Sequence, residues 1–210
     1  MTANLTAPVT SLQALAELYD APTPNAARKE IDHLDEHCRD FVSRSPFALL
    51  STADAAGRCD VTPRGGVAGF ARVLDERHVA LPDAKGNNRT DSLRNVVVNP
   101  HAGLLFLIPG LGETLRVNGP AMLTRDPGLL QDLAHDGRVP TLAIVVEARE
   151  VFLHCAKAFI RSGLWKPETW PDRADLPSAA RILRDHTGQT DRTAEDLQGD
   201  LDHSYATRLY

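Results

Sequence analysis

Cysteine is scarce in this chain, and so are the spacings that would give it chemistry. Cys38, Cys59 and Cys155 are the only three, no CxxC pair occurs, and an odd number cannot all pair within one chain. This composition points to a reducing, cytoplasmic setting. Positive charge is not in excess: 23 Lys and Arg against 28 Asp and Glu give a formal charge of −5. Nucleic-acid backbones need clustered cations, so no nucleic-acid partner is expected and any anion site must be local. No apolar run reaches membrane-spanning length, and "MTANLTAPVTSLQALAELYD" lacks the basic, apolar and small-residue order of a signal peptide. A soluble protein without a membrane partner is expected. Glycine-rich nucleotide motifs are missing too. Gly86 is not followed by Gly-Lys-Ser/Thr, and "GLG" at 110–112 has neither the third glycine nor the helix of a dinucleotide turn. There is no "GxSxG", no internal repeat and no low-complexity tract.

What is there suits one well-buried domain with terminal additions, in 210 residues of which 42% are apolar. In residues 1–44, "SLQALAELY" and "PNAARKEIDHLDEHCRDFV" read as two helices. The second carries Ile31, Leu34, Cys38 and Phe41 at spacings of three and four, with Pro24 in its first turn. From "SPFALLSTAD" the texture changes to short β-rich runs separated by "DAAGR", "LDERH", "NPHAG" and "PGLGE". Strands are predicted near 46–53, 58–62, 66–74, 78–82, 101–108, 114–124 and 140–153, with a helix near 90–98. Such spacing suits a closed antiparallel sheet better than βαβ units. Residues 45–160 form the expected core domain. Residues 161–210 form a polar extension, with a helix at "LPSAARILRDH", that wraps the core or a partner subunit.

The stretch "LPDAKGNNRTDSLRN" at 81–95 raises the question of an anion. Thr90 suits an N-cap for a helix beginning at Asp91 and Ser92, whose first amides carry partial positive charge, with Arg89 immediately before them and Lys85 close by. Gly86, Asn87 and Asn88 allow a tight turn through positive φ. Two readings fit: an ordinary capped helix with solvated arginines, which is the commoner arrangement, or a phosphate monoester site. "VTPRGG" at 61–66 adds Arg64 at a strand end, where glycines let a ligand approach the backbone and a guanidinium can grip phosphate in a fork.

These segments, followed by "NP", an apolar strand, a loop and "LRVNGPAML", resemble the pyridoxamine 5'-phosphate oxidase-like family of FMN-binding split barrels over residues 30–160. The flavour of "PDAKGNNRTDSLRN" and "ETLRVNG" is that of a poorly characterised bacterial flavoprotein subgroup. The resemblance implies a mainly β fold with peripheral helices, a six-stranded antiparallel split β-barrel, and a homodimer with FMN at the subunit interface. It tips the anion turn toward phosphate. By resemblance, Arg64 and the Lys85, Asn87, Asn88 and Arg89 turn hold the FMN phosphate. Pro63, Arg64 and Gly65, with Leu81, Pro82 and Asp83, line the flavin ring. Glu113, Thr114, Leu115 and Arg116 reach the cofactor from the partner subunit. The oxidase has arginine-glutamine where Glu113-Thr114 stand, and its C-terminal tryptophan strand and basic cluster have no match, which argues against vitamin B6 phosphate as substrate.

Several other residues have plain explanations. His33 and His37 lie four apart but lack a third ligand, so surface histidines and no metal site are expected. Cys155, next to His154, reads as core, and Ser45 and Ser51 need no special role. Arg161 and Trp165, four apart, put a cation and an aromatic on one helix face, either toward a flavin edge or as packing of the tail. The resulting expectation is an FMN-dependent oxidoreductase acting on a small organic substrate, with no general base assigned. The alternative is a non-catalytic flavin- or haem-binding storage or sensor protein. His101 and His154 are its candidates in the barrel region for an axial ligand.

Overall fold

The computed structural model describes residues 6–84 and 86–207. Three helices precede the sheet: α1 (Leu12–Ala16), α2 (Pro24–Arg28) and α3 (Glu36–Arg44). Each starts on a side-chain cap, from Ser11, Thr23 and Asp35. The continuous helix expected over "PNAARKEIDHLDEHCRDFV" is therefore wrong. It breaks between α2 and α3, where Ile31 bridges to Val151 and the Leu34 amide donates to the Glu76 carbonyl at 2.7 Å. The apolar stripe still serves the core: Leu34, Cys38 and Val42 are buried, and Ile31 and Phe41 pack against them.

Eight strands follow: β1 (Phe47–Ala53), β2 (Cys59–Gly65), β3 (Arg72–Val73), β4 (His78–Pro82), β5 (His101–Leu107), β6 (Thr114–Thr124), β7 (Ala143–Glu147) and β8 (Glu150–His154). Helix α4 (Asp91–Val98) lies between β4 and β5, and α5 (Pro127–Asp132) lies between β6 and β7. All ladders are antiparallel, in the order β2-β1-β5-β6-β7-β4-β3, with β8 also pairing β6. This is the expected mainly β split barrel with peripheral helices. Among the described residues it has eight strands rather than six, and the path is open, with β2 and β3 at its ends.

The split is built on β6. Its first half pairs with β5 and β8, and Ala121–Thr124 pairs with β7. At the changeover, a Cβ on Gly119 would meet the Glu147 carbonyl oxygen at 1.9 Å, so only glycine lets the two backbones cross. The single strand expected at 140–153 divides for the same reason: β7 joins β4 and the second half of β6, whereas β8 joins the first half. Only Arg72 and Val73 of the expected strand at 66–74 are paired. Leu50, Leu81, Leu104, Phe106, Val117, Ile144 and Val146 fill the interior.

After β8 come α6 (Lys157–Ser162), α7 (Ala179–Thr187) and α8 (Ala194–Thr207). Helix α7 matches the expectation at "LPSAARILRDH"; α8, which packs on it and buries Leu197, has no counterpart in the sequence reading. Among the described residues, no helix is long and apolar enough to cross a membrane.

Candidate functional site

The anion turn leaves the barrel at the end of β4. Leu81 is fully buried and pairs with Ile144; Pro82 pairs with Ala143, and the Asp83 amide donates to the Leu142 carbonyl at 3.0 Å. Lys85 lies outside the described residues. Positive φ values fall on Asn88 (61°) and Thr90 (57°). Asn87 Oδ1 accepts from the Arg89 amide at 3.1 Å, closing an Asx turn. Thr90 is not the side-chain cap expected. Its hydroxyl caps nothing, and it enters α4 in the left-handed region, which is an outlier for a β-branched residue. Helix α4 is pinned to the barrel instead by Ser92 Oγ donating to Asp60 at 2.6 Å, Asn95 donating to Thr52 at 3.0 Å and Asn99 donating to the Ala53 carbonyl at 3.1 Å. The Arg89 guanidinium is three-quarters exposed and donates to Asp91 at 2.7 Å, a contact that raises its pKa above the ordinary arginine value.

Arg64 completes this first cluster. Register sets Asp60, Thr62 and Arg64 opposite Thr52, Leu50 and Ala48, all buried, so these three point to the inner face of the sheet while Pro63 and Gly65 point out. Arg64 Nη1 donates to Asp83 at 2.8 Å, tying the end of β2 to the exit of β4. Its Nε is buried without a partner.

A second cluster forms where β6 meets β8. Thr114 and Leu115, both buried, pair with His154 and Leu153, and Arg116 pairs with Phe152. Arg116 ion-pairs with Glu150, whose carboxylate also accepts from Asn118 at 3.0 Å, and its guanidinium carbon lies 4.1 Å above the Phe152 ring. Its Nε is likewise buried and unpartnered. Lys29 Nζ sits 4.6 Å from the same ring and donates to the Leu153 carbonyl at 2.8 Å. The His154 ring is 4.8 Å from Phe152. Burial first, then the charges of Arg116 and Lys29, hold the His154 imidazole below its ordinary pKa, against a weaker opposing pull from Glu150.

The neighbouring β5–β6 loop, which carries half-buried Glu113, is held by the tail: Trp165 Nε1 donates to the Leu111 carbonyl at 2.8 Å and its ring stacks on Phe159 at 5.6 Å. Arg161 is exposed at the end of α6. Trp165 lies beyond the left-handed Gly163 that ends the helix, so the two do not share a helix face as expected. Cys155, expected in the core, is exposed, and so is Cys59.

Arg64 and Arg116 thus belong to different places. Arg116 registers with Leu105 and Phe152 on the outer face, whereas Arg64 is on the inner face. Strands β1 and β5 separate their strands, about 14 Å at the usual strand spacing. Sequence reasoning did not single out Lys29, Asp60, Ser92, Asn118, Glu150 or Phe152. The alternation that sets Phe152 and His154 on one face of "EVFLH" was the available signal.

The family model of pyridoxamine 5'-phosphate oxidase matches residues 34–155, more than half of the chain, spanning α3 to the end of β8 and both clusters except Lys29. The chain belongs to this family. Its fold is accordingly the family's flavin-binding split barrel. Solved structures similar to this pyridoxamine 5'-phosphate oxidase family member include HupZ of Group A Streptococcus (15% identity, 57% of this chain and 92% of that one, TM-score 0.47). An FMN-binding protein of Syntrophomonas wolfei (10%, 56% and 88%, 0.41) and HutZ, the haem storage protein of Vibrio cholerae (14%, 58% and 93%, 0.38), are also similar. No curated protein matches the sequence.

Proposed function

We propose that the protein is an FMN-dependent oxidoreductase that works as a homodimer on a small organic substrate. The observation that carries this reading is the Arg64 guanidinium: at the end of β2, one nitrogen holds Asp83 at the exit of β4 and the buried Nε has no partner. A buried donor without an acceptor is costly, and a phosphate oxygen would satisfy it. Arg89, exposed and held only by Asp91, is free to turn toward the same anion, and the strained Thr90 start of α4 is the kind of backbone that accompanies ligand loops. The residues therefore fit a phosphate monoester.

In this reading Arg64 and Arg89 grip the phosphate, with Asn87, Asn88 and Lys85 beside them, and the backbones of Pro63, Gly65, Leu81, Pro82 and Asp83 border the ring. The Glu113–Arg116 stretch, with Arg161 and Trp165, belongs to the neighbouring subunit's site, since a single protomer keeps it on the other face of the sheet. When bound, FMN supplies hydride transfer. The protein's residues place it and the substrate, and no side chain is assigned as a base. Residues 45–160 serve as the cofactor core, with 1–44 and 161–210 as extensions.

FMN is preferred to FAD because the anion turn is short and no dinucleotide-binding βαβ unit occurs among the described residues. The visible spectrum of the purified protein, followed by heat release and chromatography of the cofactor, tests this. Flavin bands and FMN are expected. A Soret band, or mainly FAD, overturns it.

A further inference from the structure

On the outer face of the sheet, three basic side chains gather around one aromatic ring with a single carboxylate among them. Lys29, from the segment after α2, and Arg116, from β6, lie 4.6 and 4.1 Å from the Phe152 ring, and His154, two residues along β8, lies 4.8 Å from it. Glu150 is shared between Arg116 and Asn118, so it neutralises at most one of the cations. Lys29 gives one of its three protons to the Leu153 carbonyl, and Arg116 Nε has no acceptor. Two fixed positive charges, a titratable imidazole and an orphaned donor therefore stand against one acid. The same transverse row continues from Phe152 and Arg116 through Leu105 and Leu49 to Pro63, an apolar strip beside the cations.

We infer that Lys29, Arg116 and His154, set around Phe152, bind the carboxylate of a small organic ligand whose apolar body lies along Leu105 and Leu49. Naming that ligand the substrate rests on the oxidoreductase reading above; the site itself rests on the cluster. A carboxylate supplies the acceptor that Arg116 Nε lacks, and the apolar strip favours an organic acid over an inorganic anion. The groups facing His154 are Arg116, Lys29 and Glu150. An added anion there offsets the two cations that disfavour its protonated form, so binding strengthens as pH falls through the histidine range.

The test uses the full chain as purified, with benzoate as probe and the His154 imidazole resonance, assigned through His154→Gln, as readout. Benzoate is expected to shift that resonance and raise its titration midpoint. Lys29→Met, a change at an exposed side chain that leaves the fold intact, is expected to weaken binding about tenfold for one lost charge-assisted contact. Equal benzoate affinity in wild type and Lys29→Met, or no movement of the His154 resonance, overturns the site. Inorganic phosphate binding more tightly than benzoate overturns the assignment of an organic acid. Benzoate binding by a protein that carries no flavin keeps the site and overturns the oxidoreductase reading. Flavin without any benzoate response does the reverse.

Discussion

Arg64 and Asp83, nineteen residues apart, meet at 2.8 Å with both side chains largely buried, and the arginine's Nε is left without an acceptor. The pair does two things at once. It closes the barrel rim between the ends of β2 and β4, and it keeps a guanidinium aimed at the place where the anion turn begins.

Asp83→Asn therefore has effects of opposite sign on stability and on ligand binding. Without the carboxylate, Arg64 is a partly buried charge lacking compensation, and the ligand-free protein should lose about 1–3 kcal/mol in urea unfolding. FMN phosphate no longer competes with a neighbouring carboxylate, so its affinity should rise about three- to tenfold. Loss of both stability and affinity would mean that Asp83 supports the site rather than competing for it.

Arg64→Ala and Arg89→Ala should both weaken FMN binding, but unequally. Arg64 is held in place by its surroundings, and its loss should raise Kd about tenfold to a hundredfold. Arg89 is exposed and tied to Asp91, so its loss should cost severalfold, with Arg89→Lys between wild type and alanine because the charge stays and the fork goes. Titration of FMN into the four ligand-free proteins measures this. A flat series would return the turn to an ordinary helix start.

Much of the barrel was legible because its strands are short and punctuated. "NP", "PGLGE" and "LPD" mark the ends of α4, β5 and β4 within a residue or two. The failures share a cause, namely partners distant in sequence. Nothing near Ile31 announces its bridge to Val151, so the apolar stripe suggests one helix where the helix is interrupted between α2 and α3. Nothing in "TLAIVVEAREVFLH" tells that its halves join different parts of β6. Helix α8 escaped because it buries only Leu197, too little to impose a periodic apolar pattern. At the site, Arg64, Arg89 and Arg116 were visible as residue types at strand ends and in the turn. Their carboxylate partners Asp83, Asp91 and Glu150 were not read as such; for Asp83 and Glu150, pairing across strands leaves no local spacing.

Cysteine labelling provides a check on the barrel's base. Burial, aided by Asp35, pushes the Cys38 thiol up to about 12, so it stays protonated and shielded, whereas Cys59 and Cys155 are exposed. Iodoacetamide at pH 8 should modify Cys59 and Cys155 in the folded protein and Cys38 only after unfolding, as read by peptide mass spectrometry. Rapid alkylation of Cys38 under native conditions would show that α3 opens away from the sheet.

The last expectation concerns pH. The fold holds the His154 imidazole below its ordinary 6.5, through burial and the charges of Arg116 and Lys29. In the unfolded chain that imidazole takes up a proton as pH drops through 6.5; in the folded protein it resists. The unfolded state then binds more protons, so folding stability rises with pH below 6.5 and is independent of this group above it. The carboxylates act in a separate window: Asp35 and Asp75, held low chiefly by hydrogen bonds from the backbone at Cys38 and Arg77, lose their contribution only as pH falls through and below 3.8. Between those ranges His154 can be isolated. Urea unfolding from pH 7.5 down to 5 should show stability falling in wild type, and His154→Gln should remove at most one proton's share of that slope. Saturating benzoate, by offsetting the two cations, should flatten the wild-type curve in the same interval. A slope unchanged by His154→Gln would mean that the imidazole is solvated well enough to titrate normally, and that the Phe152 cluster is looser than its distances imply.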